Sequence, residues 1–130
     1  MGKLNVEKEL SLEEVIEGKL PGLITLKFCE EKGALRVRMD FVDKVLREMR
    51  WVPKGGMRIR FRLSDREEEL KDCDFYGWAR VYKVSEEEEW VKHHLSIGGL
   101  QCIIYVKGTK LEVSKGEKVY IGMKLVDRRA

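Results

Sequence analysis

The chain has 130 residues, 43% of them hydrophobic, which suffices for one compact domain around a single core. Its 26 basic and 23 acidic residues leave a formal net charge of only +3, excluding a strong global field toward nucleic acid or anionic lipid. No apolar run nears the roughly 20 residues that span a bilayer, and the N-terminus lacks a signal-peptide core, so a soluble cytoplasmic protein with no membrane partner is expected.

Charged residues make up 38% of the chain, against roughly 25% in ordinary soluble proteins. Asn5 and Gln101 are the only side-chain amides. That pairing suggests adaptation to heat. Cys29, Cys73 and Cys102 are odd in number and far apart, which fits reduced thiols better than a disulfide framework.

Residues 11 to 18, "SLEEVIEG", place Ser11 and Glu14 at capping-box spacing but read equally as a strand ending in a turn. Strand is the preferred reading. "ITLKFCE" (24 to 30) and "ALRVRMDFV" (34 to 42) flank a charged turn, and Leu35, Val37, Met39 and Phe41 alternate with Arg36, Arg38 and Asp40. This is a hairpin signature. Over 41 to 52, Val42, Val45, Leu46 and Met49 recur at helical spacing and predict a short helix. "MRIRFRLS" (57 to 64) then puts Arg58, Arg60 and Arg62 on one face of a strand.

A charged loop, 65 to 72, leads into "DFYGWARVYKV" (74 to 84), with Tyr76, Trp78, Arg80 and Tyr82 on one face and Phe75, Gly77, Ala79 and Val81 on the other. After the acidic turn "SEEEE", a long strand over 90 to 108 is interrupted by Gly98 and Gly99, read as a bulge or sharp bend. The turn "SKGE" opens the last strand, 117 to 126, and "DRRA" is read as a frayed tail. Seven or eight short strands and one short helix predict an all-β domain over residues 1 to 130. Its expected form is a small, closed or nearly closed antiparallel barrel, OB-fold-like, without exposed edges.

Little here suggests catalysis. His93 and His94 are adjacent, so in a strand they face opposite sides and cannot share a site. Paired zinc ligands, a phosphate loop, a nucleophile elbow and a dinucleotide fingerprint are all missing from the sequence. No enzyme activity, cofactor or metal is expected. The basic face could grip nucleic acid, dock a protein, or form the wet side of a barrel paired with the many glutamates. In the nucleic-acid reading, Arg58, Arg60, Arg62, Trp78, Arg80 and Tyr82 would supply stacking and phosphate contacts.

The run from Gly77 to Val126 resembles the C-terminal half of subunit 8 of DNA-directed RNA polymerase, a family of eukaryotic nuclear polymerases also found in some archaea. The family shows a G-K-V-Y-R-I strand, an acidic turn, a strand with S-Y-G-G-L-L, and a final V-Y-L-L-M-K-K-L strand. The counterparts are Ala79 to Val84, Ser96 to Gln101 and Val119 to Leu125. Upstream, "FCEEKGALRVRMDFVD" (28 to 43) is similar to the family's second hairpin, and Asp74, Phe75 and Gly77 match a "DDF" and glycine of archaeal members. Only Ser64 to Asp74 fill the place of a long acidic loop in eukaryotic members, which points to an archaeal form. Arg58, Arg60 and Arg62 match no family motif.

The resemblance implies an OB-like barrel docked on the large catalytic subunit of a multi-subunit polymerase, supporting assembly without performing nucleotidyl transfer. The docking residues expected on that basis are Ser96, Ile97, Gly98, Gly99 and Leu100, with Gly122, Met123, Lys124, Leu125 and Val126. The alternative is a free-standing protein that binds single-stranded nucleic acid.

Overall fold

The computed structural model describes residues 4–18, 20–67 and 72–126. The strands are β1 (Asn5–Glu17), β2 (Leu23–Glu30), β3 (Leu35–Val42), β4 (Arg58–Ser64), β5 (Phe75–Glu87), β6 (Trp90–Ile97), β7 (Leu100–Lys107) and β8 (Lys118–Leu125), with one helix, α1 (Asp43–Met49). They close into an antiparallel barrel in the order β1-β2-β3-β7-β6-β5-β8-β4. The expected tail at 127 to 130 and the middle of the charged 65 to 72 loop lie outside the described residues.

The order resolves into two Greek keys. Strands β1, β2 and β3 follow one another and β4 returns beside β1; β5, β6 and β7 repeat the pattern and β8 returns beside β5. The β3–β7 and β4–β8 pairings join the halves. Greek-key closure with a single helix makes the barrel OB-fold-like.

Each key starts with a 13-residue strand that serves two neighbours. β1 pairs with β4 through Asn5 to Ser11 and with β2 through Leu10 to Glu17, with a bulge between Leu12 and Glu14. β5 pairs with β8 through Phe75 to Arg80 and with β6 through Arg80 to Glu87, with a bulge between Val81 and Lys83. An extra residue bends a strand and increases its twist. Each bulge therefore sits where its strand passes from one neighbour to the other.

Alternation fills the interior. Phe28, Phe41 and Phe61 are fully buried with Leu26, Met39 and Ile104. Eight strands enclose a space just wide enough for such side chains, each large one contributing about 2 kcal/mol. Helix α1 buries Leu46 and ends with Arg50 in the left-handed region, while the Arg50 and Trp51 amides bond back to Arg47 and Leu46. This Schellman ending turns Trp51 into the core against Phe41.

Several expectations need correction. Gly98 and Gly99 are no bend within one strand. Both have positive φ, 55° and 91°, and form the two-residue turn between β6 and β7. The 90 to 108 segment is therefore two strands. Val42 ends β3 with an exposed side chain and is no part of the helix, which is shorter than 41 to 52. The acidic turn narrows to Glu88 and Glu89, because β5 runs on to Glu87. Residues 11 to 17 are strand, and they extend one that starts at Asn5.

Candidate functional site

The arginine stripe of β4 lies against β1. Arg58 Nη1 is 3.2 Å from Glu9 Oε2, while Arg60 and Arg62 each place Nε 3.4 Å from a carboxylate oxygen of Glu7. Register explains this, since Glu7 is paired with Arg62 and Glu9 with Arg60 across the β1–β4 ladder. The stripe is an outer barrel face ion-paired with its own neighbour, three arginines against two glutamates.

The aromatic face of β5 has different surroundings. It is separated from β4 by β8, with Gly122 standing between Arg62 and Tyr76. Tyr76, Trp78 and Tyr82 are exposed, Trp78 most of all at 51%. Tyr120 of β8 stacks on Tyr76 with ring planes 2° apart and centroids 6.2 Å apart. Lys118 Nζ stands 4.7 Å from the Trp78 ring centre and 5.4 Å from that of Tyr120, and the Arg80 guanidinium lies 5.8 Å from Trp78. These are cation–π distances.

Next to Trp78, three parts of the chain enclose an open groove of about 500 Å³. Trp78, Arg80 and Tyr82 come from β5; Ser96 from the end of β6 and Gly98 and Gly99 from the β6–β7 turn; Lys115 and Gly116 from the β7–β8 loop. The β5 bulge builds this junction. Val81 donates its N–H to Glu117 O at 2.9 Å and accepts from Gly116 N at 2.7 Å, and Arg80 Nη1 donates to Gly116 O at 2.8 Å. Gln101 Nε2 donates to the Tyr82 hydroxyl at 3.0 Å and fixes the far rim. Residues expected for two separate roles thus meet in one place: Ser96, Gly98 and Gly99 from the docking set, and Trp78, Arg80 and Tyr82 from the nucleic-acid set.

The second docking segment lies elsewhere. Gly122 pairs with Tyr76 and Arg62, toward the other end of β8 from Lys118. Gly122 is buried and Met123 points into the barrel with no exposure. Lys124 Nζ bonds Asp72 at 2.7 Å, Leu125 packs on the core, and Val126 is exposed. Ile97 also packs against the core, and Leu100 is half-buried. Sequence reasoning missed Lys115, Gly116, Lys118 and Tyr120. Alternation in "KVYIGMKL" marks Lys118 and Tyr120 as outward, but only β8 lying beside β5 brings them to Trp78.

His93 and His94 do face opposite sides. His93 is fully buried, and His94 Nε2 lies 3.4 Å from Ser85 Oγ with its ring against Tyr82. Among the described residues no group of His, Cys, Asp and Glu could hold a metal ion, and no helix is long and apolar enough to cross a membrane.

No model of a known protein family matches the chain, and no curated protein matches it. Among solved structures it is similar to a cytoplasmic molybdate-binding protein, ModG, crystallised with molybdate bound. The identity is 11%, over 92% of this chain and 89% of that one, with a TM-score of 0.34. A likeness at that level carries no inference about ligand.

Proposed function

We propose that this chain is a non-catalytic assembly subunit of an archaeal DNA-directed RNA polymerase, docked on the large catalytic subunit. The sequence resemblance is concentrated in residues 77 to 126, which span nearly all of the second Greek key, β5 to β8. One observation carries the reading. The segment from Ser96 to Leu100, which matches the family's S-Y-G-G-L apart from Ile97, holds at its centre the exposed two-residue turn Gly98–Gly99, and this turn walls a groove containing an exposed tryptophan. A barrel with every strand paired on both sides offers partners a rigid outer surface and no edge to extend, so side chains and turns must carry docking.

The test is affinity purification of a tagged copy from its host, followed by mass spectrometry. Stoichiometric recovery of the large polymerase subunits is expected, and so is loss of that recovery in Gly99→Val, whose side chain would enter the groove rim. Recovery of the chain by itself, or only with nuclease-sensitive nucleic acid, overturns the assembly reading.

A further inference from the structure

We propose that the groove between the β5 aromatic face, the Gly98–Gly99 turn and the Lys115–Gly116 loop receives a short acidic, apolar-containing peptide segment of the large polymerase subunit. This inference rests on the assembly role above and names the chemistry of the docked partner.

Charge imbalance is the first observation. The groove is lined by Arg80 and Lys115 and by no carboxylate, with Lys118 beside it over the Trp78 ring. Among the described residues, none of these three cations is in an ion pair, whereas Arg58, Arg60 and Arg62 each face Glu7 or Glu9. Closely spaced cations without counter-charges favour an anionic partner.

Shape is the second. A Cβ added at Gly98, Gly99 or Gly116 would meet nothing within 4 Å, so these three groove-lining positions present bare, accessible backbone. Trp78 is an apolar ring half in water at the mouth of this space, the kind of anchor that interfaces bury.

Extent separates a peptide from a nucleic-acid strand. Single-strand sites run a cationic track along about 4–16 nucleotides, with several free rings for stacking. Here Tyr76 and Tyr120 stack on each other, Tyr82 is held by Gln101, and the arginines beyond β8 are already paired with glutamates. Arg80, Lys115 and Lys118 gather with the exposed Trp78 ring at one spot. An acidic turn or extended segment of a few residues matches that spot, and a run of phosphates does not.

The test is fluorescence anisotropy of the full-length protein with two kinds of labelled probe: 15-residue peptides tiling the host's large polymerase subunit, and an oligothymidylate of the same length. A peptide carrying at least two Asp or Glu beside an apolar residue is expected to bind saturably and to weaken at higher salt. Trp78→Ala and Lys118→Glu should each reduce its affinity by about tenfold or more. Arg60→Ala should not. Both altered positions are exposed, and circular dichroism checks that the barrel is retained. Saturable binding of the oligothymidylate that depends on Trp78, with no peptide bound, overturns the inference in favour of a strand site. So does co-purification with the polymerase that is undiminished in both variants, a result that leaves the assembly role standing. Failure of the wild-type protein to co-purify removes the assembly role itself.

Discussion

Leu111 donates its backbone N–H to Nε2 of His93 across 3.1 Å. That bond assigns the ring, because Nε2 must then be the bare nitrogen and Nδ1 carries the hydrogen given to Ile104 O at 3.2 Å. A fully buried imidazole thus ties β7 and the β7–β8 loop together in its neutral form. Burial pushes the His93 pKa down, and the nearby charges of Lys110 and His94 act in the same direction, against the bond to Ile104. The unfolded chain takes up this proton near pH 6.5 while the folded one resists it. Stability should therefore be level above about pH 7 and fall as pH drops through 6.5 toward the folded value. His94, also depressed by burial and by Lys92 and Lys83, adds a loss of the same sign. Urea unfolding at several pH values checks this. His93→Phe should cost about 1–3 kcal/mol at pH 8 and partly flatten the acid slope.

Asp74 binds two distant parts of the chain through one oxygen. Its Oδ2 accepts from Trp51 Nε1 at 3.1 Å and from the Leu125 amide at 2.7 Å, joining the end of the helix segment to the end of β8. Asp74→Ala leaves both donors without this acceptor in a half-buried place and should cost about 2–4 kcal/mol. Thermal unfolding followed by tryptophan fluorescence measures the loss. A cost below about 0.5 kcal/mol would show that water replaces the carboxylate freely.

The arginine stripe should matter little to stability. Its pairs with Glu7 and Glu9 are exposed, and exposed pairs contribute about 0–1 kcal/mol. Arg60→Ala and Arg62→Ala should each shift the urea midpoint by an amount in that range and leave co-purification unchanged. Loss of a partner in either variant would return the stripe to the list of interfaces.

The two glycines of the β6–β7 turn should respond differently. Gly98 has φ 55°, a conformation Asn accepts, and Asn-Gly is a favoured pair for two-residue hairpin turns. Gly98→Asn should be close to neutral. Gly99 has φ 91°, where a β-branched residue is strained, so Gly99→Val should cost about 1–2 kcal/mol while the barrel still folds. Denaturation of the two variants side by side reads the contrast.

Cys102 lies inside the barrel, where burial pushes its thiol pKa up to about 12, with Asp40 adding to the rise. It should resist iodoacetamide at pH 8 until the barrel opens globally. Cys29 and Cys73, both half-buried, should label earlier. Mass spectrometry of timed samples in sub-denaturing urea gives the order.

The local text of this protein was legible in its sequence. Period-two alternation marked β3, β4 and β5 and the two faces of each, the helical spacing of Val42, Val45, Leu46 and Met49 marked α1 although Val42 belongs to β3, and adjacency set His93 and His94 on opposite faces. These properties depend on a few neighbouring residues and on backbone geometry, so sequence determines them. The Gly98–Gly99 turn was misjudged because a glycine pair serves a bend and a hairpin alike, and only the pairing of Ile97 with Leu100 distinguishes them. What the tertiary structure decided is which strand lies beside which. Strand order put Glu7 and Glu9 against three arginines some fifty residues away and ion-paired them. The same order brought β5, the β6–β7 turn and the β7–β8 loop to one groove whose cations face no acid. Ion pairing and groove walls arise between segments distant in sequence, and closing the barrel is the physical step that sets their distances.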